Sequence, residues 1–227
     1  MTDADRVREH PAERHLRRLS TPRAAAVAGV LFALLFGTVL VLLRVSLPDA
    51  GERGSQWVTD DGGLLRVAVI LMPFAGITFL WFIGVVRDGF GKLEDKFFSS
   101  VFVGSGLLFL AMMFAAASVG AALVAGRRSV PDSRSEDVAA FGQHLMTTLS
   151  NTYALRMAAV FMISLATIWL RTRLMPTWLV ATTYAAALTL LVASDVNLWM
   201  TLVFPVWVLV VSMLILSRAG VIDLRRD

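Results

Sequence analysis

Residues 24–43 read AAAVAGVLFALLFGTVLVLL, twenty positions without a charged side chain. A helix needs ~20 such residues to cross the ~30 Å hydrocarbon core of a bilayer. The stretch exceeds the ~7–15 apolar residues of a signal-peptide core, and no clear cleavage pattern follows it. It is read as a membrane span, opened by the Thr21 hydroxyl as cap and Pro22 at the first helical position, and running over about residues 22–47.

Five further apolar runs follow, and nearly every charge lies between them. They predict helices over about residues 64–86, 97–125, 151–170, 176–194 and 198–216. The composition agrees: 57% of the 227 residues are apolar and 17% charged, against ~45–50% and ~25% in soluble domains. The expected fold is therefore all-α, a polytopic bundle of six transmembrane helices. Residues 1–21 form a basic cytosolic segment, 22–217 the membrane domain and 218–227 a cytosolic tail. The N-terminal segment is read as lying near the headgroups; a binding arm for a partner protein is the alternative. Between the third and fourth spans, Ser135-Glu136-Asp137 starts a helix, with Val138, Phe141, Leu145 and Leu149 at helical spacing. That pattern predicts a short amphipathic surface helix, separate from the span that follows.

Basic residues set the orientation. Fourteen flank the spans on the side of the N-terminus, among them Arg23, Arg87, Arg171, Arg173 and Arg218; six lie opposite, Arg44, Arg53, Arg66, Arg127, Arg128 and Arg134. Both termini are therefore expected in the cytosol. The 19 Arg against 2 Lys suggest a GC-rich, bacterial genome, and with it the plasma membrane.

Several chemistries have no residues to carry them. Without cysteine there are no disulfides, thiolate metal sites or thiol catalysis. His10, His15 and His144 all sit in polar segments, so no haem is held by two intramembrane histidines, and no lysine lies in an apolar run to anchor a retinal. HExxH, GxSxG and Walker patterns are absent. No cofactor, no metal site and no enzymatic activity are expected. The pI near 10.3 reflects a net charge of only +4, placed beside the spans, which suits anionic lipid rather than nucleic acid.

Three features inside the membrane stand out. In the first span Gly29, Ala33 and Gly37 recur every four residues, a groove that lets another helix approach closely. In the fourth, Arg156, Ser164, Thr167 and Arg171 fall within about 80° of one another on a helical wheel. The fifth adds Thr182 and Thr189, seven apart. These residues either line a polar path between the fourth and fifth spans or bond their own helix carbonyls while small residues pack. Arg156, about one and a half turns from the predicted outer end, is read as a snorkelling arginine paired with Asp195 or with Asp60 and Asp61. No acid sits near a span midpoint, which weighs against proton- and cation-coupled carriers. Pro73 and Pro205 are expected inside spans two and six, where each frees a carbonyl and can kink the helix.

The run MPFAGITFLWFIGVVRDGFGKLEDKFFSSVFVGSGLLFLAMMFAAA, residues 72–117, resembles hypothetical multi-pass membrane proteins of actinobacteria. It covers about a fifth of the chain and holds no motif of known chemistry, so the resemblance implies lineage and no mechanism. Bacterial relatives of the lysosomal six-helix potassium channels carry RxxxFSD in their first helix, where this chain reads RAAAVAG from Arg23. The leading expectation is an accessory or scaffold membrane protein whose partners are the bilayer and itself or other membrane proteins. The alternative is a small homo-oligomeric channel or permease.

Overall fold

The computed structural model describes residues 11–46, 62–90, 96–126, 132–173, 175–193 and 198–223. Seven α-helices make up nearly all of them: α1 (Pro11–Ser46), α2 (Gly62–Phe90), α3 (Lys96–Gly126), α4 (Asp132–Thr147), α5 (Leu155–Thr172), α6 (Thr177–Ala193) and α7 (Val203–Asp223). Five stretches are long and apolar enough to cross a membrane: Ala24–Ser46, Gly63–Asp88, Phe97–Gly126, Arg134–Thr172 and Met200–Ser217. A sixth, Thr177–Val192, is apolar but shorter.

The helices close into a ring. Helix α1 packs on α2 and α7, α2 on α3, α3 on α5, and α5 on α6, with few contacts between α6 and α7. Gly29, near the start of the apolar stretch Ala24–Ser46, lies against Phe82 of α2 and Ser212 of α7, and Phe98 of α3 against Arg171 of α5. Those contacts set neighbouring spans running in opposite directions.

Phenylalanines fill the middle of the ring. Phe32, Phe79, Phe109, Phe161 and Phe204, one from each of α1, α2, α3, α5 and α7, are all essentially inaccessible. Their centroids lie 4.5 Å apart for Phe32–Phe79, 5.4 Å for Phe79–Phe161, 5.5 Å for Phe79–Phe109 and 4.7 Å for Phe109–Phe204. Tilted and edge-on rings at such distances gain ~0.5–1.5 kcal/mol per pair beyond area burial. Large apolar side chains also cover the outside: Leu34, Ile70, Phe74, Leu108, Leu188 and Val206 are all exposed. In water such a perimeter would aggregate; against acyl chains it is the matching surface. Among the described residues no charged side chain is buried.

The structure departs from the sequence reading in three places. First, the predicted surface helix is not separate from the fourth span. Helix α4 passes through a π-helical segment, Thr148–Ala154, straight into α5, with the Leu155 amide donating to the Ser150 carbonyl. The polar residues that suggested a break bond within their own helix: Thr147 Oγ1 to the Gln143 carbonyl and Ser150 Oγ to that of Met146, at 3.0 and 2.8 Å. Glycine 142 does not break the rod, because its missing side chain lets α4 lie on Leu123 of α3. Second, Pro22 does not open the first helix, which already runs from Pro11. Third, Pro205 lies within the Met200–Ser217 stretch as expected, but at the start of its α-helix rather than in mid-helix. A 3-10 turn, Leu198–Leu202, leads into α7, and Pro205 sits in the first turn, where an amide has no intrahelical acceptor.

Candidate functional site

The polar face expected on the fourth span lies on α5, divided among three levels. Toward the start of α5, the half-buried Arg156 donates from Nη1 to the Thr152 carbonyl at 3.0 Å. The side chain thus turns back one helical turn toward the π segment, the direction of a snorkelling residue. In the middle, Ser164 is buried and donates to the Val160 carbonyl at 2.8 Å. Thr167 bonds the Ile163 carbonyl at 2.8 Å and meets the Tyr184 hydroxyl of α6 at 2.7 Å. At the far end, the Arg171 guanidinium stands 4.6 Å from the Phe98 ring centroid, a cation–π contact.

The two threonines expected beside this face are not there. Thr182 and Thr189 are exposed on α6, bonded to the carbonyls of Leu179 and Ala185 at 3.0 and 2.9 Å. The residues that join α6 to its neighbours are the next ones along: Tyr184 to Thr167, and the fully buried Thr183, which accepts from Trp207 Nε1 of α7 at 3.0 Å. Thr182 and Thr189 thus bond their own helix, one of the two arrangements expected for them. The available signal for Thr183 was the buried indole, whose N–H seeks an acceptor. Asp195, Asp60 and Asp61, the expected partners of Arg156, lie outside the described residues.

The small-residue groove on α1 is half used. A Cβ at Gly29 would overlap Ser212 Oγ and come within 2.8 Å of the Phe82 ring. Ala33 is buried, but a Cβ at Gly37 would meet nothing within 4 Å.

Beside the π segment the structure leaves a small cavity with a mostly apolar lining, which the sequence reading does not anticipate. Arg44 from the end of α1, Thr147, Ser150 and Asn151 from α4 and the π turn, and Thr201 from the 3-10 turn line a cavity of ≈40 Å³ floored by Leu40, Leu43, Ala116 and Met146. Ser150 Oγ gives its proton to the Met146 carbonyl at 2.8 Å and lies 3.2 Å from the Asn151 side-chain amide. A volume of that order holds a few waters or one small ion, since a water needs ~10–15 Å³ on this measure. Thr147, at the end of α4, and Ser150 and Asn151, in the π turn, face it, whereas Thr148 is exposed. The run Thr147-Thr148-Leu149-Ser150-Asn151-Thr152 was the legible signal, read as a loop end. Among the described residues no group of His, Asp or Glu could hold a metal ion.

No protein-family model, no curated protein and no solved structure matches the chain.

Proposed function

We propose that the chain is a non-enzymatic multi-pass membrane protein of a bacterial plasma membrane, with both termini cytosolic, acting as an accessory or scaffold component through helix packing. The observation that supports this reading is the phenylalanine cluster at the middle of the helix ring. Five helices spend their inward faces on aromatic contact, and the hydroxyls of Ser105, Ser164 and Thr78 are turned onto their own helix carbonyls. Among the described residues, an apolar centre with an apolar perimeter offers surfaces to other membrane helices and no polar route past the phenylalanines. The purified chain in liposomes should therefore pass ions and small solutes no faster than protein-free liposomes. Flux well above that background would reject the scaffold role.

A second reading rests on α6. Its exposed Thr182 and Thr189 would line a path only if several copies turned that helix toward a common axis, which makes the homo-oligomeric channel the alternative. Disulfide capture of Thr182→Cys in native membranes separates the two, since the parent has no cysteine. A monomeric scaffold gives no cross-linked product; copies that turn Thr182 toward a common axis give a covalent dimer, the most that one cysteine per chain can form.

A further inference from the structure

Where α5 turns into α6, the structure leaves a crevice of ≈480 Å³ lined by Trp169, Leu170, Arg173, Met175, Thr177 and Val180. None of the six is acidic, and Arg173 is exposed. The crevice lies at one edge of the apolar zone: the stretches Arg134–Thr172 and Thr177–Val192 end and begin there, and Phe97–Gly126 begins beside Arg171. Its lining changes character across that edge. Leu170 is exposed and continues the lipid-facing surface, Val180 forms the buried floor, and Arg173 and Thr177 stand exposed at the polar rim.

Three further features point to a bound anion at the rim. The first amides of α6 emerge here, and the opening residues of a helix have no intrahelical acceptor for their N–H groups. Pro176 contributes no N–H, and the Leu179 and Val180 amides donate to its carbonyl at 3.0 and 3.3 Å, so the donors left for an anion are the Thr177 and Trp178 amides. The residue that ends α5 in the left-handed conformation, with φ 54° and ψ 25°, is Arg173, at a position that usually takes glycine or asparagine. Among the described residues it is the only non-glycine with positive φ. From that position Arg173 is exposed and lines the crevice.

We propose that this crevice is a binding site for one anionic phospholipid. Arg173 and the first turn of α6 take the phosphodiester, and an acyl chain runs over the exposed Leu170. Guanidinium and helix amides match the phosphate oxygens, and the apolar wall excludes a purely soluble anion as the natural occupant. The edge concerned belongs to the arginine-richer end of the chain, the side on which anionic lipids recruit basic residues. The inference needs only the membrane-embedded bundle, so it stands whether the chain is a scaffold or a channel.

The test uses the full chain purified in detergent, offered equimolar phosphatidylglycerol and phosphatidylcholine of identical acyl chains, with retained lipid read by native mass spectrometry. The parent should prefer phosphatidylglycerol, and Arg173→Asn should lower that preference about tenfold, the loss expected for a charge-assisted contact. Asparagine accepts the left-handed conformation, so the variant should melt no lower than the parent. Arg173→Lys should keep part of the preference, and Arg66→Asn, exposed at the opposite edge on α2, should keep all of it. An Arg173→Asn chain that selects phosphatidylglycerol as the parent does would overturn the site. So would an equal loss in Arg66→Asn, which would make the preference a property of net charge. Displacement of the lipid by inorganic phosphate at the same concentration would assign the crevice to a soluble anion instead.

Discussion

At the scale of single residues, position in the ring outweighs residue type. Gly29 and Gly37 look equivalent in sequence, yet only Gly29 is pressed against two other helices. Gly29→Leu should cost ~1–3 kcal/mol, the usual price of overpacking a tight contact, whereas Gly37→Leu should stay within ~0.5 kcal/mol of the parent. Thermal unfolding in detergent, followed by tryptophan fluorescence, reads both; equal melting of the two variants would contradict the packing described. Thr182 and Thr183 make a similar pair. Thr183→Val strands the buried Trp207 indole N–H and should destabilise by ~1 kcal/mol, toward the upper part of what membrane hydrogen bonds contribute. Thr182→Val removes only a bond to its own helix and should melt with the parent. Arg156→Ala loses the bond to the Thr152 carbonyl, and a drop of ~0.5–1.5 kcal/mol is expected. Unchanged melting together with lost flux or partner binding would make Arg156 functional rather than structural.

At the scale of elements, the long rod from α4 to α5 is the least expected part of the fold. A span beginning at Asn151 would place Thr152 at its first helical position, where proline is welcome. In the continuous rod Thr152 lies inside the π turn, with helix on both sides. Thr152→Pro should then cost ~3 kcal/mol by clash and lost bonding. A variant that melts like the parent would mean that the helix breaks there after all. Hydropathy located the apolar stretches because water and acyl chains sort side chains by residue type alone, and positions such as 62–90 and 96–126 differ from the predicted bounds by only a few residues. The rod was not legible for a different reason. Ser, Thr and Asn end helices when their side chains bond the backbone outside the helix, and continue them when they bond i−4 carbonyls. The sequence is the same in both cases; only the neighbour decides, and here α3 supplies Ala116 and Gly120 for Met146 to rest against. The cavity with Arg44 was hidden by the same ambiguity, since a π turn cannot be read from spacing.

At the scale of the whole molecule, the account turns on a dry centre. Phe32, Phe79, Phe109, Phe161 and Phe204 come from five helices spread over 173 residues, from position 32 to position 204, and nothing local in the sequence marks them as neighbours. What was legible was their location on apolar spans; what was not was their convergence, which depends on how the helices close into a ring. Of the polar residues singled out on α5, Ser164 lies deepest, only 3% exposed. It is therefore the most sensitive reporter of water along that helix. The decisive measurement is cysteine accessibility in this cysteine-free chain, using Ser164→Cys, a near-isosteric change, with Thr182→Cys and Ser133→Cys as companions. A small, water-soluble thiosulfonate reagent is applied to the protein in native membranes. Ser133→Cys should react, because position 133 lies beside the polar start of α4, whereas Ser164→Cys and Thr182→Cys should stay unmodified until the chain is denatured. Modification of Thr182→Cys alone would place a water-filled path between copies of the chain. Modification of Ser164→Cys in the folded protein would contradict the closed aromatic centre itself.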